Sequence, residues 1–219
     1  RNTREIQERV MSIRMLPIGS VFNRFPRLVR DLAARNNKQI QLVMTGEETE
    51  LDKTVIESIG DPLTHLVRNS ADHGLETPEV RVANGKAEQG TIRMGAFHEG
   101  GSICITVSDD GRGLNREKIL KKALQNGLIA ESDQLTDDQV WNLIFKPGFS
   151  TADQVTDVSG RGVGMDVVKR NIEALGGTVS IKTEAGNGTT FRLKLPLTLA
   201  IIDGLTVRIG AEMYIVHLI

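Results

Sequence analysis

His65, Asn69, Asp72 and His73 fall at i, i+4, i+7 and i+8, so on a helix they share one polar face. Further on, Asp109 closes an alternating apolar run and is followed by Asp110-Gly111-Arg112-Gly113. Gly160-Arg161-Gly162-Val163-Gly164 then leads into a helical pattern at Met165, and Gly186-Asn187-Gly188-Thr189-Thr190 separates two alternating runs. An Asn carbonyl is a neutral, hard oxygen suited to Mg²⁺, which usually keeps waters and phosphate oxygens in its shell. A carboxylate at a strand end can accept a hydrogen bond from the exocyclic amine of adenine. Glycines before a helix N-terminus present backbone N–H groups to phosphate. Taken singly, the same segments also read as a wet helix face, an Asp-Asp-Gly turn, a flexible linker and a hairpin turn. In this order and together, they supply the parts of an ATP site.

Other chemistries are less well served. The four histidines (65, 73, 98 and 217) and the single Cys104 show no compact metal-ligand spacing. Ser150 and Ser159 lack a nucleophile-elbow context. The glycines at 160–164 are neither a Walker loop, which needs Gly-Lys-Ser/Thr, nor a dinucleotide fingerprint, which should directly follow a strand. Met11, Met15, Met44, Met94 and Met165 read as core filler.

With 39% apolar and 25% charged residues and a net charge of -1, the 219-residue chain reads as a globular protein. That balance gives no electrostatic case for nucleic acid or a membrane surface. The basic run from Arg24 to Arg35 reads as a solvated helix face. Cys104 alternates with Ile103 and Ile105 as a buried strand thiol, and a lone cysteine suits a reducing compartment. No apolar run is long enough to cross a bilayer. Arg1 enters directly into helical pattern and Ile219 closes an apolar run, so both ends read as cut.

Periodicity predicts helix over 2–15, broken by Pro17 and Gly19, then a second helix from Ser20 to Arg35. A strand at 39–44 comes next, then helix at 53–59, a break at Gly60-Asp61-Pro62, and helix from Pro62 to about His73. Strands 91–97 and 102–108 form a hairpin. Asn115 caps a helix to Gln125, and Thr136 with Gln139 makes a capping box. Residues 147–164 read as a mobile loop before a helix from Val163 to Leu175. Strands 178–183 and 189–194 close the unit, and 199–209 and 212–218 read as two strands of another. Helices and hairpins in this mixture predict an α+β fold: a two-layer sandwich with a mixed, mostly antiparallel sheet and helices on one face.

Together the motifs resemble the ATP-binding fold shared by gyrase, Hsp90, MutL and histidine kinases (the GHKL, or Bergerat, fold). Within it they are similar to the kinase domain of the CheA family of bacterial chemotaxis histidine kinases. The matching stretches include Ile13 to Pro17, Val21 to Pro26, Asp61-Pro62-Leu63, His65 to Asn69, Asp72-His73-Gly74, Asp109 to Gly113, Pro147 to Thr151, Val158 to Val168 and Leu195 to Leu199. The resemblance covers essentially the whole chain. It implies Asn69 as the Mg²⁺ ligand and Asp109 as the adenine-reading group. It places His65, His73 and Lys118 near the phosphates, with His65 and Lys118 as the catalytic candidates and Asp72 beside them. It puts Ser150, Gly160, Arg161, Gly162, Val163, Gly164 and Met165 in or next to a lid, and Gly111, Gly113, Gly186, Gly188 and Thr190 around the pocket.

The resemblance further implies an ATP-binding domain over 1–196, with residues 1–9 as the end of the dimerisation helices. Residues 197–219 would then be the truncated start of an SH3-like, CheW-like regulatory domain. The implied activity is transfer of the γ-phosphate of Mg-ATP to a histidine on a separate phosphotransfer domain. The implied partners are that domain, the coupling protein CheW and the chemoreceptors, in a cytoplasmic homodimer; this fragment alone is expected to be monomeric. The gyrase-like ATPases carry a Glu four residues before the Asn, where this sequence has His65. A gyrase- or chaperone-type ATPase and a non-catalytic nucleotide-binding scaffold are the rival readings.

Overall fold

The computed structural model describes residues 14–130, 133–149, 164–197, 204–209 and 212–217. In chain order, β1 (Met15–Pro17), α1 (Gly19–Phe22) and α2 (Phe25–Arg35) lead to β2 (Ile40–Thr45) and β3 (Glu50–Asp52). Helix α3 (Lys53–Asn69) passes directly into a π-helical turn, Ser70–Gly74, followed by α4 (Pro78–Ala83). The hairpin of β4 (Gly90–Glu99) and β5 (Ser102–Asp109) precedes α5 (Arg116–Gln125) and α6 (Asp137–Asn142). Helix α7 (Met165–Ala174) precedes a second hairpin, β6 (Thr178–Glu184) with β7 (Gly188–Pro196), and a third, β8 (Gly204–Ile209) with β9 (Glu212–His217).

The main sheet has five strands in the order β2-β4-β5-β7-β6. Only the β2–β4 pair is parallel; the others are antiparallel, as predicted. Strand alternation sorts the side chains cleanly. Ile92, Met94, Ile103, Ile105, Val107, Phe191, Leu193 and Leu195 are buried on one face, where Leu63, Leu66, Val67, Val168 and Ile172 of α3 and α7 complete the core. Arg93, Phe97 and Lys194 stand exposed on the other face. Cys104 points to that outer face yet is fully buried, because Arg192, itself paired with Glu99, lies across it and over the Phe97 ring.

Three boundaries depart from the sequence reading. The helix predicted from Ser20 to Arg35 is split, since Pro26 has no N–H to continue it and instead occupies the first turn of α2. The break predicted at Gly60-Asp61-Pro62 does not occur: α3 runs unbroken through Pro62. An interior proline costs about 3 kcal/mol, but burial of Val55, Ile59, Leu63, Leu66 and Val67 offsets this several times over, at about 1.5–3 kcal/mol each. The helix predicted to reach His73 instead widens into a π turn at Ser70. The β1–β3 pair and α4 have no counterpart among the predicted elements. By contrast, Asn115 accepts from the Lys118 N–H and Thr136 with Gln139 forms the full capping box.

Candidate functional site

The π turn is the pivot of the site. An extra residue in a helix rotates the residues after it, and such turns gather at functional positions. Here it turns Ser70 toward the end of β5, where its hydroxyl donates to Asp109 Oδ2 at 2.9 Å. The Gly111 N–H donates to Asp109 Oδ1 at 3.0 Å, and Thr189 is the register partner of Asp109 on β7. Asp109 is only 7% exposed. Burial raises its pKa above the ordinary carboxylate range, hydrogen bonding pulls it back, and the neighbouring Asp110 charge pushes it slightly up.

The chain can pass this close only because of two glycines. A Cβ on Gly111 would overlap the Gly74 carbonyl, and one on Gly74 would press on the Asp109 carboxylate. The Gly74 carbonyl is thereby free to accept from the Arg112 N–H at 3.0 Å. Gly186 donates to the Arg112 carbonyl at 2.8 Å, so the β6–β7 turn closes on the same segment as Gly113. Thr190, placed in the pocket by the sequence reading, lies on the face opposite Asp109: its register partner is Ser108, whereas Thr189 pairs with Asp109 and shares its side. Strand period two decides this, and counting alternation back from the buried Phe191 and Leu193 would have found it.

Asn69, one residue before Ser70, looks the other way. Its Nδ2 donates to Met165 Sδ, 3.1 Å away at the head of α7, and its Oδ1 accepts nothing from the described residues. His65 lies one helical turn earlier and is partly buried. Burial holds its imidazole below the usual histidine pKa; Arg68 and His73 add to this, and the Asp166 carboxylate opposes it. The native state therefore takes up its His65 proton at lower pH than the unfolded chain. Stability should fall as pH drops through the ordinary histidine value toward the lower folded one. Denaturant unfolding between pH 5 and 7.5 should show this slope flattened in a His65→Gln variant; an unchanged slope would mean that His65 is not the group responsible.

The remaining predicted residues divide. Asp72 belongs to the π turn but is bound at Oδ1 by Asn36 Nδ2 at 2.6 Å. His73 and Lys118 are exposed, the latter in the first turn of α5. Gly164 is the N-cap of α7. Ser150, Gly160, Arg161, Gly162 and Val163 lie outside the described residues. The sequence reading missed Ser70, Thr189 and Lys38. The Lys38 ammonium caps the π turn from outside, donating to the Ala71 and Asp72 carbonyls at 2.7 and 2.8 Å. Strand alternation could have found Thr189, but no local pattern marks Ser70 or Lys38, which only the fold brings to the site.

The family described as "Histidine kinase-, DNA gyrase B-, and HSP90-like ATPase" matches residues 58–199, which span α3 through β7 and hold nearly every described site residue above. The chain belongs to this ATPase family. Over 218 residues it is 62% identical to the chemotaxis protein CheA of Klebsiella aerogenes and 61% identical to that of Salmonella typhimurium, in each case along 100% of its own length. It is 53% identical to the sensor histidine kinase CheAY of Helicobacter pylori, along 99% of its length. The chain spans only 33%, 32% and 27% of those relatives. Among solved structures, the nucleotide-free catalytic domain of the histidine kinase ThkA has the same fold: TM-score 0.51 at 16% identity, covering 84% of this chain and 95% of that one.

As a member of the histidine kinase-, gyrase B- and HSP90-like ATPases, the chain is an ATP-binding domain, and the donor set fits that nucleotide. A carboxylate offers about four acceptor sites. Ser70 and Gly111 use one on each oxygen of Asp109, leaving acceptor capacity for a further donor. The open Oδ1 of Asn69 is a suitable hard ligand for the Mg²⁺ that accompanies ATP. Among the described residues no cluster of three or more His, Cys, Asp or Glu is arranged as a metal site, so such an ion would draw its other ligands from phosphate and water.

Proposed function

We propose that this chain binds Mg-ATP and passes the γ-phosphate to a histidine on a separate phosphotransfer domain, as the catalytic part of a cytoplasmic, dimeric chemotaxis kinase. One observation carries the reading. Two consecutive residues serve opposite ends of the nucleotide: Ser70 donates to the base-reading Asp109, and Asn69 faces the helix that Met165 opens. An adenine and its phosphates likewise need to be held by different groups. The 62% identity to a CheA chemotaxis protein along the whole chain supports the signalling context.

Transfer rather than hydrolysis is favoured by the residue one turn before Asn69. The gyrase-like ATPases carry a Glu at that position, and this chain carries His65. With its pKa held low, the imidazole is neutral near pH 7 and can hydrogen-bond to phosphate or acceptor without carrying charge. Phosphoryl transfer asks mainly for positioning and charge neutralisation, and bound Mg²⁺ supplies the latter. Lys118, exposed on α5, is the candidate for a second phosphate contact. Residues 197–219 open the regulatory domain that meets a CheW-type coupling protein and chemoreceptors.

Calorimetry of the chain with ATP and GTP, each with and without Mg²⁺, tests this. The expected result is binding selective for ATP and strengthened by Mg²⁺, with the strengthening lost in Asn69→Ala, a drop of about tenfold for one lost charge-assisted ligand. Slow turnover without acceptor is expected as well. Rapid acceptor-free hydrolysis would favour a gyrase-type ATPase, and no binding of either nucleotide would favour a scaffold.

A further inference from the structure

Beside the adenine end lies a cluster that the proposed function does not use. Arg81, 2% exposed, and Glu76, 4% exposed, are buried and pair with the partly exposed Lys86 and Asp110 in a neutral set of two cations and two anions. Buried ion pairs are poor stabilisers, because desolvation consumes most of the Coulombic gain. The buried Arg81–Glu76 pair at the centre of this set therefore invites a second purpose.

Its connections point to one peptide. Arg81 grips the Asp110 carboxylate through both terminal nitrogens, at 3.1 Å each, and its Nε donates to the Ala87 carbonyl at 2.7 Å. Asp110 Oδ1 also accepts from the Thr91 N–H at 2.9 Å, anchoring the group to β4. Lys86 uses its three protons on Glu76 Oε1 at 3.0 Å, the Asp110 carbonyl at 2.9 Å and the Gly111 carbonyl at 2.7 Å. Arg81 also reaches the Asp110 carbonyl, at 3.2 Å. That carbonyl and the Gly111 N–H belong to the same planar peptide, and the Gly111 N–H donates to Asp109 Oδ1. Two cations on the oxygen side thus fix the direction of the N–H side and polarise it into a stronger donor.

We infer that Lys86 and Arg81 are positioning residues for base recognition, acting through the Asp110–Gly111 peptide to aim the Asp109 carboxylate at the adenine amine. The inference rests on the proposed reading of Asp109. It assigns specificity to residues that would not touch the nucleotide.

The test compares ATP with ITP, whose base carries a carbonyl in place of the amine, by calorimetry alongside thermal unfolding. If the unmodified chain does not prefer ATP, the reading of Asp109 fails before the inference is reached. Where it does, Lys86→Met should lower ATP affinity by about tenfold, the scale of one charge-assisted hydrogen bond, while ITP affinity stays put. Lys86→Arg should restore most of the preference. Asp110→Asn, which keeps the shape of the cluster and removes one charge, should show a smaller loss of the same kind and serves where Lys86→Met does not fold. Equal weakening of both nucleotides, or a lowered melting temperature with the preference intact, would overturn the inference and leave the cluster a purely structural tie.

Discussion

Asp109→Asn should lower ATP affinity by about a hundredfold or more while changing stability by no more than about 1 kcal/mol. The asymmetry comes from the hydrogen-bond inventory. An Asn can keep its carbonyl toward the Gly111 N–H and present its amide to Ser70, whose hydroxyl rotates from donor to acceptor. No buried donor then faces another, and the cost of burying a charge, visible in the raised pKa of Asp109, disappears. At the base the outcome reverses: an amide proton meets the adenine amine, donor against donor. The same proton suits the carbonyl of ITP, so preference should shift toward that nucleotide. Calorimetry with both, beside urea unfolding, decides it; an unchanged ATP dissociation constant would remove Asp109 from the base-reading role.

Gly188→Val should be still more damaging, at about 4 kcal/mol or more of folding stability. Gly188 opens β7 at φ 102°, a backbone region that L side chains rarely adopt. Any Cβ there would also overlap the Asp109 carbonyl. Strain and clash coincide, and β5 and β7 have nowhere to part, because Asp109 and Thr189 are register partners. Relief would have to come from separating two neighbouring strands of the main sheet, which would carry Asp109 with them. Chemical denaturation of the variant should show the loss directly. A Val variant as stable as the unmodified chain would mean that the turn readily adopts another path.

How much of the fold and site is legible in the sequence depends on the range of the interaction. Asn115 and Thr136 cap within three residues, and both are legible. Asn69 and Asp109 are legible because helix period and strand-end placement are local, and the motif set resembles a known family. Pro62 misleads because its penalty is local while the burial that outweighs it is not. Ser70 is lost inside a helix predicted to run on to His73, since nothing short-range announces a π turn. Arg81 and Lys86 look like ordinary surface cations of a short polar segment until β4 and the Asp110 turn fold over them. Thr189 and Thr190 are interchangeable by composition and differ only in which face the register gives them.

Asp109 is the last residue of β5, the middle strand of five, paired on both sides. Asn69 reaches its neighbour helix through one sulfur-accepted bond. Segments at the centre of a sheet open last, and lightly tied helix ends open first. On the proposed reading, the base socket is thus the standing half of the site and the phosphate end the adjustable half. For the proposed kinase this has a price in turnover. ADP would keep what the base socket holds, and spent nucleotide would compete with fresh.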